Sequence, residues 1–363
     1  MQSPSLVLVF AQSGRFIAES ATRAGFTVRV ADCFGDNDTL EVAERWQALP
    51  ALDELTTEQL LKLLIELSDG QPCWLVCGTG IERFYPLLSE LPSHIQFAGN
   101  PVESFALLRQ PTSFFRLLHD LDLLFPEVSY STPETPYLIK DMAGSGGNAV
   151  HTSSTSKLRP SQYYQHYIEG KSYSVCFIAD GKTAQILAWN RQHHSPQSFT
   201  LSALQQPAYP PAHCQPVIIE AVRKLTEACG LRGFNSLDYL VDKQGQSYIL
   251  ELNPRISASA ELLRQTDLFT CHLTACFGPL PRVEPLPQST VRMLHYLFAE
   301  SRVSIDQSPH WPDSCHDLPQ AGCTIESGQP VCTLIVEADS EIECQQQLSK
   351  NIVTALQNCH PYA

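Results

Sequence analysis

Over the first hundred or so residues, short apolar runs alternate with amphipathic stretches. "SLVLVF" (5–10) has no polar break inside it and predicts a strand, while "RFIAESATRAG" (15–25) carries its apolar residues at helical spacing and closes on Gly25. "TVRVADCF" (27–34), "CWLVCG" (73–78) and "IQFAGN" (95–100) predict further strands. Strand–helix–strand alternation predicts an α/β region, residues 1–110, built on a parallel sheet with helices on both faces. The turn "AQSGR" (11–15) follows the first strand, where such sheets bind ligands, but it lacks the full GxGxxG spacing. Asp32 ends the second strand, where a lone acid touches a ribose or, more often, caps a turn.

From about residue 111 to 280 the pattern shifts to longer strands joined by tight turns. A helix, "TSFFRLLHDL" (112–121), leads into "YLIKDMAGSGGNAVHTS" (137–153), which reads as strand, glycine-rich loop, strand. Successive backbone N–H groups at Gly144, Ser145, Gly146 and Gly147 can converge on one oxyanion, above all a phosphate, with the Lys140 ammonium beside it. An ordinary hairpin loop with a surface lysine explains the same residues. "YYQHYIEGKSYSVCFIADGK" (163–182) is a strand, a turn at Glu169–Gly170 and a second strand. Its backbone offers C=O and N–H groups to an adenine edge, with Gln165 as a side-chain neighbour.

"GFNSLDYLVDKQGQSYILELNPR" (233–255) predicts a β-hairpin around "DKQG" that sets Asp238 opposite the neighbourhood of Glu251. Two carboxylates in an apolar hairpin repel strongly unless a cation sits between them. Asn253 shares the face of Glu251 by strand alternation and adds an oxygen. Oxygen-only donors suit Mg²⁺ or Mn²⁺.

The remainder, 281–363, opens with a proline-spaced linker, "PLPRVEPLPQ", and continues with a strand, "VRMLHYLFAE". A β-rich segment (317–338) and a final helix (340–358) follow. No catalytic signal stands out there, so packing against the middle region, and a homodimer contact, are its default roles.

Composition narrows the function class. A chain of 363 residues with 43% hydrophobic content fills two or three domains. A formal net charge of −14 without a basic block argues against nucleic acid and acidic membrane surfaces as partners, and for small-molecule substrates. The apolar runs are strand-sized, and the start lacks a basic n-region. Thirteen scattered cysteines without a CxxC read as small hydrophobes in a reducing cytoplasm, and "CWLVC" offers no convincing zinc spacing.

Lys140, the Gly144–Gly147 loop, "QHYIEG" and "LDYLVD…YILELNPR" occur in the order and spacing of the ATP-grasp superfamily, which the chain resembles over about residues 1–340. The resemblance implies an ATP-grasp fold: a Rossmann-like pre-grasp domain (1–110), a two-lobed α+β grasp domain around the nucleotide (111–280) and a small β-rich cap with a final helix (281–363). It implies ATP and Mg²⁺ (or Mn²⁺) as cofactors. Lys140 matches the lysine on the ATP phosphates, Gly144–Gly147 the loop that closes over them, and Gln165, His166, Tyr167 and Ile168 the adenine hinge. Asp238, Glu251 and Asn253 match the metal ligands, and Arg255 the arginine that stabilises the transferring phosphoryl group. Ser257 and Ser259 fall where members line the acceptor site. Two positions depart from the pattern. An additional lysine is expected in the helix before the glycine-rich strand, where Ser113 stands and Arg116 follows a turn later; and Ser172 replaces the acid that often holds the ribose.

The implied reaction is ATP-dependent ligation of a carboxylate to an amine through an acyl phosphate. In "AWNRQHH" (188–194), Arg191 can pair a second carboxylate bidentately, and His193 or His194 can deprotonate an amine, although a polar loop after a strand reads equally well for the histidines. Rival readings are a biotin- or purine-type carboxylase using bicarbonate, and a non-catalytic nucleotide sensor. A looser likeness at "SGR", "AGF" and "DCFGDNDT" is to the ATP-grasp branch of methylotrophs and methanogens associated with tetrahydromethanopterin and methanofuran (one-carbon carrier) biosynthesis. It implies a glutamate ligase.

Overall fold

The computed structural model describes residues 4–362 except 134–136, 142–143, 145, 148–149, 153–157, 160–161, 196–197, 264–266 and 285–289. The apolar run at the start becomes β1 (Leu6–Phe10), buried at every position. There follow α1 (Arg15–Arg23), β2 (Thr27–Asp32), α2 (Asn37–Val42), β3 (Arg45–Ala48), α3 (Thr57–Ser68), β4 (Cys73–Cys77), α4 (Ile81–Phe84), β5 (Ile95–Phe97) and α5 (Val102–Arg109). The five strands form one sheet in the order β3-β2-β1-β4-β5, every pair parallel. Gly25 sits at φ 86°, the left-handed turn that stops α1 and sends the chain into β2. A capping box at Thr56 and Gln59 starts α3.

The helix α6 (Pro111–Asp120) leads into a four-stranded sheet of β6 (Val128–Ser129), β7 (Tyr137–Asp141), β8 (Val150–Thr152) and β9 (Gln162–His166), ordered β6-β9-β7-β8. The larger sheet begins with β10 (Gly170–Asp180), β11 (Ala184–His194) and β12 (Leu201–Gln206). After α7 (Cys214–Cys229) it adds β13 (Arg232–Asp242) and β14 (Ser247–Asn253). The segment "AWNRQHH" is therefore strand, the outer half of β11, because β10 and β12 pair it on both sides.

Past α8 (Leu268–Phe277) come β15 (Val291–Phe298), β16 (Val303–Ile305), β17 (Cys315–His316), β18 (Thr324–Ile325), β19 (Pro330–Ala338), α9 (Glu341–Leu356) and β20 (Cys359–Pro361). Strand β15 pairs with β12, so the large sheet runs β14-β13-β10-β11-β12-β15-β19-β17 without a break. A small sheet, β18-β16-β20, covers one end.

One apolar core joins the parallel sheet to the large antiparallel one: Val7, Val9, Ile17 and Val30 pack with Cys176, Ile178, Phe234 and Phe269. A buried amide pins the same junction, since Asn100 Nδ2 donates to Asn235 Oδ1 and to the Pro254 carbonyl, both at 2.9 Å. The thirteen cysteines are unpaired and most are buried, as small hydrophobes would be. Among the described residues, no helix is long and apolar enough to cross a membrane.

Candidate active site

The hairpin of β13 and β14 supplies the centre. Asp238 pairs directly with Glu251, and the register slips between Asp238 and Tyr239, so that Tyr239 meets Ile249 and Leu250 is passed over. Such a bulge sharpens the local twist and re-aims a side chain. Burial, and then the charge of Glu251, push the Asp238 carboxyl up to about 7, against hydrogen bonds from Gln192 and Asn253 and the charge of Arg255. Glu251 is the more open of the two, with 43% of its side chain exposed.

Lys140, on β7, faces this pair from the other sheet. Burial lowers its pKa, while the fields of Glu251 and Asp238 hold it up. The two lobes thus bring the sequence-predicted lysine and carboxylates together. Arg109, at the end of α5, adds a second cation 3.5 Å from Glu251 Oε1. Arg116, in contrast, is exposed on α6. Arg109 thus supplies the guanidinium that meets Glu251.

Asn253 and Arg255 belong to a buried chain of contacts. Asn253 Nδ2 donates to Asp238 Oδ2 at 3.3 Å, and Asn253 Oδ1 accepts from Arg255 at 3.1 Å. Arg255 Nε in turn pairs with Glu82 Oε1 at 2.5 Å, both side chains being less than a tenth exposed. Burial alone would raise the Glu82 carboxyl, but the Arg255 and Arg109 guanidiniums outweigh it and hold it below the usual range. Glu82 Oε2 also accepts from the Gly80 N–H at 2.8 Å, which fixes the carboxylate in the turn after β4. Glu82, Arg109 and Gln192 were not singled out from sequence. A strand-end turn in a parallel sheet was the available signal for Glu82; nothing local marks the other two.

Between β7 and β8 the glycine loop makes a tight turn. Gly146 and Gly147 adopt φ 60° and 78°, the Gly144 N–H donates to the Asp141 carbonyl, and the Leu201 N–H donates to the Gly146 carbonyl. Ser145 lies outside the described residues. At the hinge, Gln165 is buried with its Nε2 unpartnered, and the His166 N–H is taken by the Glu127 carbonyl at 2.7 Å. Tyr167 is exposed and Ile168 half-buried; among the described residues their backbone N–H groups make no hydrogen bond. Those amides and the Gln165 amide are free polar groups at the end of β9.

Ser172 is half-buried on β10, opposite Leu240. Arg191 sits half-buried on β11 between Tyr173 and Gln205, and makes no ion pair among the described residues. His193 and His194 follow it, both with pKa lowered by burial first, then by Arg191 for His193 and by His193 and Lys140 for His194. Ser257 and Ser259 share a hydrogen bond at 3.0 Å. Asp32 caps a turn: its carboxylate accepts from the N–H groups of Gly14 and Gly35 and from Trp46 Nε1.

Residues 112–259 match the family model described as an ATP-grasp domain. An uncharacterized protein of Methanocaldococcus jannaschii is 22% identical over 91% of this chain and 88% of its own length. Among solved structures, the biotin carboxylase domain of Hydrogenobacter thermophilus 2-oxoglutarate carboxylase, solved with MgADP and bicarbonate, superimposes with a TM-score of 0.77 at 16% identity, covering 97% of this chain and 90% of that one. The L-amino acid ligase of Bacillus licheniformis gives 0.71 at 14% identity over 99% of both chains. The fold is the ATP-grasp fold, a parallel-sheet N-terminal region followed by antiparallel sheets, as the resemblance in the sequence implied.

Proposed function

We propose that this ATP-grasp chain is an ATP-dependent carboxylate–amine ligase that works through an acyl phosphate. The observation that carries the reading is the facing Asp238–Glu251 pair with Lys140 in its field. A carboxyl facing a second one, with oxygen-rich neighbours and no soft donor, fits Mg²⁺ or Mn²⁺. Asp238 and Glu251 would hold the ion, and Asn253 would join them by turning Oδ1 away from Arg255. When bound, the metal supplies positive charge for the nucleotide phosphates.

The chain's own groups do the rest. The free amides at Tyr167 and Ile168, with Gln165, receive the adenine. Ser172 stands where the ribose lies and offers a hydroxyl in place of an acid. Lys140, Arg109 and the N–H groups of Gly144, Gly146 and Gly147 hold the phosphates and keep water from them. A carboxylate oxygen of the substrate attacks the γ-phosphorus in line and ADP leaves, while Lys140 and Arg255 offset the charge that spreads over the phosphoryl oxygens. The amine then attacks the acyl carbon, the carbon–oxygen bond breaks, and phosphate leaves carrying that oxygen. His193 or His194, kept neutral by burial, accepts the amine proton, and Arg191 binds a second carboxylate of the substrate.

In its finer form, the proposal is that the chain adds glutamate to a one-carbon-carrier precursor of the methanofuran or methanopterin type. "SGR", "AGF" and "DCFGDNDT" support that branch. Arg191 is the group that would take the glutamate side-chain carboxylate.

The test uses substrate labelled with ¹⁸O in the carboxylate. ADP should appear only when acid and amine are both present, and one label should pass to the released phosphate. Unlabelled phosphate alongside product overturns the acyl phosphate, and bicarbonate dependence selects a carboxylase. Incubation with ATP, Mg²⁺, glutamate and an aminomethylfuran-, tyramine- or pterin-type acceptor should add one glutamyl mass. Activity with other pairs but never with glutamate removes the finer proposal alone.

A further inference from the structure

A second cluster of ionisable groups joins the first helices to the C-terminal strands. Arg15, only 2% exposed, forms ion pairs with Glu19 at 3.4 Å, Asp38 at 3.5 Å and Asp317 at 2.9 Å, and a further one with Glu261. One guanidinium therefore faces four carboxylates, and the only other cation paired with them in the described structure is Arg23, exposed, on Glu19 at 3.4 Å. A buried excess of carboxylates is unfavourable without another positive charge. A separate observation points the same way. Asp36 is 7% exposed, its Oδ2 has no hydrogen-bond partner, and burial with the neighbouring charges of Asp317, Asp32 and Asp38 pushes its carboxyl up to about 8.

Donor atoms stand ready on one side of this cluster. Ligand atoms of Glu19 on α1, Asp38 on α2 and His316 on β17 all lie within 4.8 Å of one another. The His316 ring makes no hydrogen bond among the described residues, so a nitrogen lone pair is uncommitted. Bonds of about 2.0–2.2 Å in a tetrahedral site put ligand atoms roughly 3.3 Å apart, so the set has to draw together around Asp38, whose oxygens accept from the N–H groups of Asp317 and Leu318 at 2.8 and 3.1 Å. An imidazole beside two carboxylates suits zinc or a similar transition metal better than Mg²⁺, which prefers oxygen alone.

We propose that Glu19, Asp38 and His316 form a site for a divalent transition metal, zinc above all, which balances the excess carboxylates and ties α1 and α2 to the C-terminal strand β17. The role is structural and stands apart from the ligase reading.

The full chain, stripped with a chelator, is equilibrated with zinc in excess Mg²⁺ and freed of unbound metal, and its zinc is counted by mass spectrometry. Wild type should hold one zinc per chain and unfold at a higher temperature with zinc than without. Glu19→Gln should lose both effects. His316→Gln, with no hydrogen bond to lose, is measured alongside in case the first variant does not fold. ADP formation in Mg²⁺ should be unchanged in both. Absence of zinc from wild type overturns the proposal, as does equal zinc in wild type and both variants. Loss of zinc in Glu251→Gln instead assigns the ion to the nucleotide site and overturns it as well.

Discussion

Asp238 and Glu251 stand directly across from each other in a bulged antiparallel pair, one carboxyl half-buried and the other more open. Their repulsion is built into the protein without its metal. Glu251→Gln should remove it and raise the unfolding temperature of the metal-free protein, while lowering turnover by on the order of 10²–10³ or more. The pair also sets a pH dependence. Asp238 holds a proton in the folded state up to about 7 and releases it near 3.8 when unfolded. Stability of the metal-free protein should therefore fall as pH rises from about 4 to about 7, and then level. Mg²⁺ should raise the melting temperature more at pH 8 than at pH 6, where it must displace the proton. Equal shifts at both pH values would count against Asp238 as a ligand.

Arg109, not Arg116, meets Glu251. Arg109→Met should weaken nucleotide binding by about tenfold or more, the loss of a charge-assisted contact of roughly 1.5–3 kcal/mol. Arg116→Ala, on an exposed helix face, should leave both binding and turnover near wild type. Isothermal titration with ADP and Mg²⁺ decides between them, and the reverse order of effects would move the phosphate-binding cation onto α6.

The contrast shows where the sequence was legible. Strands β1, β2 and β4 were readable because unbroken apolar runs have few alternatives inside a parallel sheet, and the β13–β14 hairpin because the DKQG turn joins two apolar runs; the bulge that sets Asp238 on Glu251 rather than on Leu250 has no such signal. Arg109, Glu82 and Gln192 were not readable. Each reaches the site from an element far away in the chain, and no local spacing records that Glu82 will meet Arg255 across 173 residues. Part of β11 resembled a loop for a related reason: "NRQHH" is polar, and its strand state depends on β10 and β12 pairing it from both sides. The Arg15 cluster was hidden in the same way, since Asp317 lies 302 residues from its partner.

Glu82 and Arg255 form a pair enclosed on all sides, so removing one charge strands the other. Glu82→Gln should destabilise the protein by about 3–5 kcal/mol, read from urea unfolding. It should also lower turnover, because Arg255 loses the carboxylate that aims it. Replacing both, as Glu82→Leu with Arg255→Met, should recover much of the stability and none of the activity. A double variant that regains activity would take Arg255 out of the chemistry.

His272 gives the fold an acid limit. Its Nδ1 accepts from the Phe234 N–H at 3.1 Å and its Nε2 lies 3.1 Å from the Ala98 carbonyl, so the ring is held neutral with its proton on Nε2. Burial lowers its pKa from 6.5 to about 4, against the Ala98 hydrogen bond. Below about 6.5 the unfolded chain takes up a proton that the folded one refuses. Stability should thus decline as pH falls from about 6.5 toward about 4, by on the order of 3 kcal/mol for this group. In His272→Gln that part of the acid sensitivity should vanish, although the variant is less stable at pH 8. Parallel stability curves for variant and wild type between pH 4 and 6.5 would rule the histidine out as the cause.

The glycine loop offers a sharper test, because its two left-handed glycines differ in their surroundings. A Cβ on Gly147 would lie 1.9 Å from the Phe199 carbonyl oxygen, whereas one on Gly146 would meet nothing within 4 Å. Gly146→Ala therefore costs only the left-handed backbone penalty, about 1–2 kcal/mol, and the turn survives. Gly147→Ala cannot keep the loop seated against β12, since the obstacle is backbone and no rotamer relieves it. If the seated loop keeps water from the acyl phosphate, Gly147→Ala should reduce product formation by about 10²-fold. ADP release should fall less, so that more ATP is hydrolysed per product formed. Gly146→Ala should keep the wild-type ratio of ADP to product at a modestly lower rate. Matching ratios in both variants would mean that the contact with Phe199 has no part in closing the site.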